Sequence, residues 1–376
     1  MSRRYLPEVG FISIIGVTVL TAVEGTWGFR MHETPVFLVF SILMMISLAF
    51  TVLDSLKKKG KAAHILSHAG MFLMLSGAIV GTPAFEDVRI AVADGGQGES
   101  TAYSRDGSTV TLPFTITLED FIIDFYDDGV SPKQYRSIID IDGRTLETKV
   151  NHPCRYRGWR IYQNDFDQER GSYSVLQLVR DPWLPLVFLG LFLLAAGAFL
   201  RLRLDWKSKY LFIAVILTAI LFAVISLARI NFGTLMPALR SLWFIPHLVL
   251  YMIAYSALAL SLVLGILSVC GVRKDGFRTL SFKLFDTASS LLLLGMICGA
   301  VWAKAAWGNW WTWDAKECWA GVTWLITLLG LHLPYKMRRR DIAMIVCIFL
   351  SFSGMQMAWY GVESLPASRT SMHTYK

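Results

Sequence analysis

The sequence has few charged residues and few cysteines. Charged residues make up 17% of its 376 residues, whereas soluble proteins have about 25%. The five cysteines are scattered, and no two form a Cys-x-x-Cys pair, which excludes a disulfide framework and a dithiol redox motif of that kind. The sequence also has no internal repeat and no low-complexity segment, which excludes a repeat array and a linker-rich chain. It has no catalytic triad.

Long apolar runs fill much of the remaining sequence. Hydrophobic residues make up 54% of the chain, and the mean hydropathy is +0.48. A helix of about 20 apolar residues crosses a bilayer, and nine runs fit or approach that length. The first run is short unless Glu24 lies at the membrane interface. The sequence therefore predicts an all-α polytopic membrane protein with about nine transmembrane helices. The runs cover 9–23, 34–53, 62–85, 183–200, 210–228, 241–272, 287–303, 318–335 and 342–362.

The basic residues predict the orientation of these spans. Lysine and arginine concentrate in alternate loops, and loops rich in them stay on the cytoplasmic side. This places the amino terminus in the cytoplasm and the carboxyl terminus outside. The net charge of +8 is then an orientation signal, and we expect no nucleic-acid partner. No small-residue cleavage site follows the first run, so we interpret it as an uncleaved span. The basic segments are 2–4, 54–61, 201–209, 272–283 and 335–340.

A polar insert at 84–181 interrupts the apolar runs. Segments such as "TLPFTITLEDFIIDFY", "KQYRSIIDID", "WRIYQNDF" and "YSVLQLVRD" carry β-branched or alternating patterns, and "DDG", "DGR" and "HP" mark turns. We predict a small β-rich extracytoplasmic domain. The chain then divides into 1–83 with three spans, the insert, 182–208 with a fourth span and a cytoplasmic loop, and 209–376. Cys154 is the insert's single cysteine; it is either catalytic or, as we favour, structural.

Four of the seven histidines form two pairs at matched depths in this topology. His247 opens the sixth span, and His373 follows the ninth, both at the outer face. His68 and His332 lie near the cytoplasmic ends of the third and eighth spans. Haem iron takes two axial ligands, often imidazoles, and polar groups within a membrane are usually functional. Each pair is therefore a candidate haem site.

Other readings of the histidines stay open. A histidine at the end of a span can serve as an interfacial side chain that meets lipid headgroups. His64 lies one helical turn before His68 and is an alternative ligand on the same helix. His32 and His152 are interpreted as ordinary loop residues.

The stretch "WGNWWTWDAKECW" at 307–319 lies on the outer side in this topology. It has four tryptophans within seven residues, more crowded than an aromatic belt spread over several helix ends. Indoles give large, rigid surfaces, so the spacing favours a platform for a planar ligand. Asp314 and Glu317 share a helix face. They either cap the eighth span or act as ligands.

At these residues the sequence resembles the WWD signature of haem-handling proteins. With the tail "GVESLPASRTSMHTYK", residues 209–376 resemble CcsA or ResC of the System II cytochrome c synthases. The amino-terminal half resembles CcsB or ResB through "SHAGMFLMLSGAIVG" and "VNHPCRYRGWRIYQNDF". The external domain is shorter than in many relatives, so a separate partner could supply part of apocytochrome recognition.

The resemblance implies roles for particular residues. His247 and His373 would ligate external haem iron and take part in the reaction, and His68 and His332 would ligate haem iron within the membrane. The surface that binds the haem ring would be made by Trp307, Gly308, Trp310, Trp311, Trp313 and Asp314.

The resemblance also implies a cofactor, partners and a location. The cofactor is haem b, and the partners are apocytochrome c with its CxxCH motif, a thiol-reducing protein and the lipid bilayer. The location is a bacterial inner membrane, with the WWD loop extracytoplasmic. The activity is a lyase that joins cysteine thiols to haem vinyl groups. A haem exporter without bond formation and a di-haem b-type electron carrier are the alternatives.

Overall fold

The computed structural model describes residues 6–167, 172–202, 209–227, 234–334 and 336–370. In these residues there are nine α-helices, one for each predicted apolar run. Seven of them, α1–α4, α6, α7 and α9, are long and apolar enough to cross a membrane. The helices are α1 Leu6–Trp27, α2 Pro35–Lys57, α3 Ala62–Gly81, α4 Leu184–Arg201, α5 Lys209–Leu227, α6 Phe244–Val269, α7 Lys274–Trp307, α8 Ala315–Leu331 and α9 Arg340–Gln356.

Helix α7 differs from the prediction, because it begins within a segment interpreted as a basic loop. It has 34 residues, and its first turns hold the charged residues of that segment. Arg278 donates to Asp275 at 2.7 Å and to Asp341 of α9 at 2.8 Å. These ion pairs allow the helix to extend beyond its apolar part.

The insert forms one eight-stranded antiparallel sheet. Its order is β5-β4-β3-β2-β1-β8-β7-β6, and the four patterned segments of the sequence correspond to β3, β4, β7 and β8. Alternate side chains of the sheet, including Ile90, Ile116 and Leu178, form a core of their own. The strands are β1 Glu86–Ala93, β2 Glu99–Ser104, β3 Thr109–Phe125, β4 Pro132–Ile141, β5 Arg144–Lys149, β6 Cys154–Tyr156, β7 Trp159–Phe166 and β8 Tyr173–Arg180.

Small residues allow two helix pairs to pack closely. On α3 and α4, a Cβ added at Gly70 would lie 2.5 Å from the Leu194 backbone nitrogen. On α7, a Cβ at Gly295 would lie 2.7 Å from the Tyr251 ring of α6. Helices in membranes commonly approach each other closely at glycines, which have no side chain to separate the two backbones. The first contact joins α3, which precedes the sheet in the sequence, to α4, which follows it. The second contact fixes α6 against α7.

The helix ends form two groups. The sheet end holds the ends of α3, α4 and α7 that adjoin the sheet (Gly81, Leu184 and Trp307). The basic end holds the opposite helix ends around one cavity, among them Lys57, Arg201 and His332. Because each group comes from helices of both halves of the chain, both ends of the bundle depend on the packing of the two halves.

Candidate functional site

A cavity of about 660 Å³ opens at the basic end. This volume lies within the range of small-molecule and cofactor pockets, about 300–1,000 Å³. Its walls come from α1, α2, α3, α4, α7 and α8, and most are apolar, with Phe11, Met71 and Trp324 among them. Its polar lining includes the side chains of Lys57, Lys58, His64, His68, Arg201 and His332. The cavity therefore combines apolar walls, imidazoles and positive charge.

The rings of His68 and His332 meet edge to face in this cavity. Their ring centroids are 6.0 Å apart, and two imidazoles on one metal ion have centroids about 6 Å apart because each metal–nitrogen bond is about 2 Å. His64 lies on the other side of His68, with centroids 4.0 Å apart. Among the described residues, His68 is the one histidine whose ring contacts that of His332. This geometry favours His68 over His64 as the partner of His332.

Backbone carbonyls determine which nitrogen of these imidazoles carries the hydrogen. His68 Nδ1 lies 2.8 Å from the His64 carbonyl oxygen, and His332 Nδ1 lies 2.8 Å from the Leu328 carbonyl oxygen. A carbonyl only accepts, so each Nδ1 donates its hydrogen and the lone pair of the neutral ring lies on Nε2. Metal-binding histidines commonly have this second interaction. Both rings are therefore prepared to bind a metal through Nε2.

His247 has the same arrangement on α6. Its Nδ1 lies 2.9 Å from the Gly295 carbonyl oxygen of α7, which again leaves the lone pair on Nε2. A Cβ added at Gly299 would lie 2.7 Å from that Nδ1, so the imidazole packs against α7 at a residue that has no side chain. The ring also contacts Trp302, with centroids 5.9 Å apart. The predicted partner of His247, His373, lies outside the described residues.

The Trp-rich loop, residues 307–314, lies at the sheet end and spreads its indoles over different neighbours. Trp307 contacts Trp302, with centroids 5.1 Å apart, and so extends the aromatic group around His247. Trp310 contacts Phe188 of α4 at 4.8 Å. Trp311 and Trp313 meet edge to face at 6.2 Å. The Nε1 atoms of Trp310 and Trp311 are buried, and no described residue accepts a hydrogen bond from them.

His32 lies in the loop between α1 and α2, as interpreted, but it is not an ordinary loop residue. Its ring stacks on Trp313, with centroids 4.7 Å apart and planes within 2°. The Nδ1 atom and the backbone N–H of His32 contact the carboxylate of Glu24. His152, in contrast, is an exposed loop residue as predicted. The sequence signal for His32 was Glu24 itself, a carboxylate within a predicted span.

Asp314 and Glu317 lie at the start of α8. Asp314 Oδ1 accepts from the Glu317 backbone N–H at 3.0 Å, and Glu317 Oε2 accepts from the Thr312 backbone N–H at 2.6 Å. The side chain at the start of a helix satisfies one of its unpaired N–H groups in this way. The capping alternative of the sequence analysis is thus confirmed for Asp314, whereas Glu317 holds the loop residue Thr312 just before the helix.

The sheet holds the first part of the loop. Gly308 has φ +75°, and a Cβ there would lie 3.0 Å from Val179 and 3.2 Å from the Tyr162 ring. The buried Lys304 donates from Nζ to the Gly308 carbonyl at 2.8 Å, and its Nζ lies 3.7 Å from the Asp181 carboxylate. The structure thus ties the end of α7 to the sheet.

A second polar contact joins the loop to the sheet. Asn309 Nδ2 donates to the buried Asp87 at 3.4 Å, and Asp87 also accepts from Gln177 and Arg105 at 2.7 and 2.8 Å. Sequence reasoning did not single out Lys304 or Asp87, because nothing local distinguishes a buried ion from an exposed one.

Comparison with known proteins gives two family matches in the one chain. Residues 58–174 match the ResB-like family, and residues 183–368 match the cytochrome C assembly protein family. The second match includes α4, which packs on α3. Together the two matches therefore cover helices α3 to α9 and most of the sheet.

Relatives of the carboxyl-terminal part are cytochrome c biogenesis proteins named CcsA. That of Prochlorococcus marinus (strain AS9601) is 34% identical over an alignment of 137 residues, and the match covers 27% of this chain and 44% of the relative. That of Guillardia theta is 30% identical over an alignment of 172 residues, and the match covers 36% of this chain and 57% of the relative. The chain spans about half the length of these curated relatives. With two matched families and spans in both, the chain belongs to the System II cytochrome c biogenesis proteins, as a multi-pass membrane protein that fuses a CcsB-like (ResB-like) part to a CcsA-like part.

Proposed function

We propose that this protein carries haem b across the membrane and attaches it to the CxxCH motif of apocytochrome c. The observation that carries the proposal is the cavity in which the rings of His68 and His332 meet edge to face, with their centroids 6.0 Å apart. The basic end lies in the cytoplasm and receives haem. The sheet end, with the sheet and the Trp-rich loop, lies outside a bacterial inner membrane, as the lysine and arginine bias of the loops favours.

The inner cavity suits haem in three respects. Its apolar walls suit the ring, the Nε2 atoms of His68 and His332 suit the iron, and the cationic side chains suit the two propionates. Arg201 pairs with Asp286 at 2.6 Å, and Lys58 pairs with Asp54 at 2.7 Å. Lys57 adds a further positive charge to the lining. Guanidinium and ammonium groups are strong hydrogen-bond donors to carboxylates.

The outer site is built around His247. Trp302 and Trp307 give it aromatic neighbours, and the buried indole N–H groups of Trp310 and Trp311 are donors for acceptor atoms of the substrate. His373 is the proposed second ligand. The Trp-rich loop, including Trp307, Gly308, Trp310, Trp311, Trp313 and Asp314, holds the ring while its vinyl edge faces the incoming motif.

The chemistry needs positioning more than acid or base catalysis. Each cysteine thiol adds across one vinyl group, so that an S–C bond forms, the S–H bond breaks and the hydrogen ends on the neighbouring vinyl carbon. The reaction balances without an external oxidant or reductant. Both thiols must be reduced before they react, which requires a thiol-reducing partner. Holding the reactants in register can account for much of a rate enhancement.

The test is holocytochrome formation in cells that lack their own synthase. Co-expression with a CxxCH substrate is expected to give holocytochrome with the wild type and with the control His152→Ala, which changes an exposed histidine. His247→Ala is expected to abolish it. His68→Gly and His332→Gly are expected to lose haem from the purified protein and to recover it with added imidazole.

A contrary result would redirect the assignment. Unchanged holocytochrome with His247→Ala would contradict the outer site. Purified protein that passes haem to a CxxCH peptide without any thioether product would indicate an exporter. Reversible reduction by quinol with retained haem would indicate an electron carrier.

A further inference from the structure

The amino-terminal half supplies two rings that contact one indole of the Trp-rich loop. His32, in the loop between α1 and α2, lies parallel to Trp313 at 4.7 Å, and Phe37 of α2 meets the same indole edge to face at 5.3 Å. Trp313 is one of the indoles of the proposed outer site, whereas His32 lies in the turn between the first two helices and Phe37 lies on the second. The plane of an indole in the CcsA-like half is therefore set by residues of the other half.

Glu24 holds the His32 ring in place. Glu24 is an acid within the largely apolar helix α1, and its side chain is only 4% exposed. One carboxylate oxygen lies 2.5 Å from His32 Nδ1, and the other accepts from the His32 backbone N–H at 3.0 Å. Acids within membrane spans are costly and are found where they are paired and functional. With two contacts to one residue, this carboxylate fixes both the ring and the backbone of His32.

The backbone of Trp313 needs such support. Its φ is +61°, in the left-handed region, where a bulky side chain is strained. Asp314, the next residue, caps α8, and the Cys318 thiol donates to the Trp313 carbonyl at 3.3 Å. These contacts hold the backbone on one side of the residue, and the His32 ring holds its side chain.

We infer that His32 and Glu24 form a positioning pair that fixes Trp313 for the outer haem site, so that this site is complete only when both halves of the chain are packed together. The inference rests on the proposed function of the loop. His32 acts here through Trp313, and its contact with the carboxylate is what keeps the ring parallel to the indole.

The decisive variants separate the ring from the carboxylate. His32→Ala removes the stacked ring. His32→Phe keeps a flat ring but removes the imidazole partner of the buried carboxylate, which is unfavourable because only the backbone N–H contact remains. Combining His32→Phe with Glu24→Leu removes the carboxylate as well and leaves two apolar side chains. His152→Ala is the matched control.

Two readouts are measured on the full-length purified protein and in the co-expression assay. The first is acrylamide quenching of Trp313, taken as the difference between each protein and the same protein with Trp313→Phe. The second is holocytochrome yield. His32→Ala and His32→Phe are expected to expose Trp313 and to lower the yield about two- to tenfold, as the strength of an aromatic pair indicates. The double variant is expected to restore both readouts, and His152→Ala to change neither.

The outcomes separate this inference from the proposed function. The inference is overturned if Trp313 quenching is unchanged in His32→Ala. It is also overturned if quenching rises while yield is unchanged, or if the double variant does no better than His32→Phe. The proposed function fails instead if His247→Ala retains full yield, and the quenching difference then still tests the contact between the two halves.

Discussion

The substitution Gly299→Ala tests how the fold positions His247. An added Cβ would lie 2.7 Å from His247 Nδ1, whereas ordinary contacts begin at 3.4 Å. The ring would have to retreat by about 0.7 Å, and metal–ligand distances tolerate only about 0.2 Å. Misplacement of a reacting group by about 1 Å can lower a rate about 100-fold. We therefore expect holocytochrome yield to fall by about 10- to 100-fold in this variant.

The same helix offers a matched control. A Cβ added at Gly276 meets nothing within 4 Å, so Gly276→Ala keeps the activity of the wild type and slightly strengthens the helix. Relative to it, Gly299→Ala is expected to lower the free energy of unfolding by about 1–3 kcal/mol, the usual cost of overpacking. Thermal melting in detergent and holocytochrome yield are measured on both.

Two results would refute this reasoning. Equal yields for the two variants would mean that Gly299 does not determine the position of His247. A low yield that added imidazole fails to restore, in a protein that melts like the control, would mean that the loss does not pass through His247 as the proposed iron ligand.

Three further predictions concern the sheet end. Lys304→Met keeps the side-chain volume but removes the donor to the Gly308 carbonyl. The free energy of unfolding should therefore fall by about 1–3 kcal/mol, and protease should cleave the Trp-rich loop faster. Unchanged cleavage would contradict the contact. Asp314→Ala should cost about 0.5–2 kcal/mol in the same melting assay, whereas Asp314→Asn, which can still cap the helix, should not; equal losses would favour a role for the charge itself. Burial raises the pKa of the Cys154 thiol from 9.0 to about 11. Its alkylation at pH 8 should therefore be about 100-fold slower than that of an exposed cysteine, and the rate should rise about tenfold per pH unit up to pH 11. Rapid labelling at pH 8 would show an accessible, reactive thiol.

Apolar runs and local turn signals were enough to predict the helices and half of the strands. Each predicted run overlaps one α-helix of the described chain, because the run lengths are set by the bilayer and by the helix rise. The long strands β3 and β4 show clear patterns, whereas β5 and β6 have six and three residues, too short for periodicity to register. The start of α7 was misjudged because its ion pair to Asp341 lies 63 residues away in the sequence.

The structure brings together the two histidines of the proposed inner site, whereas His373 of the proposed outer site lies outside the described residues. Depth matching alone placed His68 beside His332, since both lie near the same ends of their helices. Depth could not separate His68 from His64, which differ by one turn, and the distance between the rings favours His68. His32 was missed because its importance comes from a stack on Trp313, 281 positions further along the chain. Such contacts depend on how α1 packs against α8, which no local pattern encodes.

The length of α8 has a consequence for how far a ligand must travel. With 17 residues it is about 26 Å long, less than the roughly 30 Å thickness of the hydrocarbon layer. Surrounding helices cover most of α8, with Cys318, Val322 and Thr327 buried along it, so lipid need not thin to match it. A molecule moving from His332 toward Trp313 would have a shorter path than the membrane's own thickness.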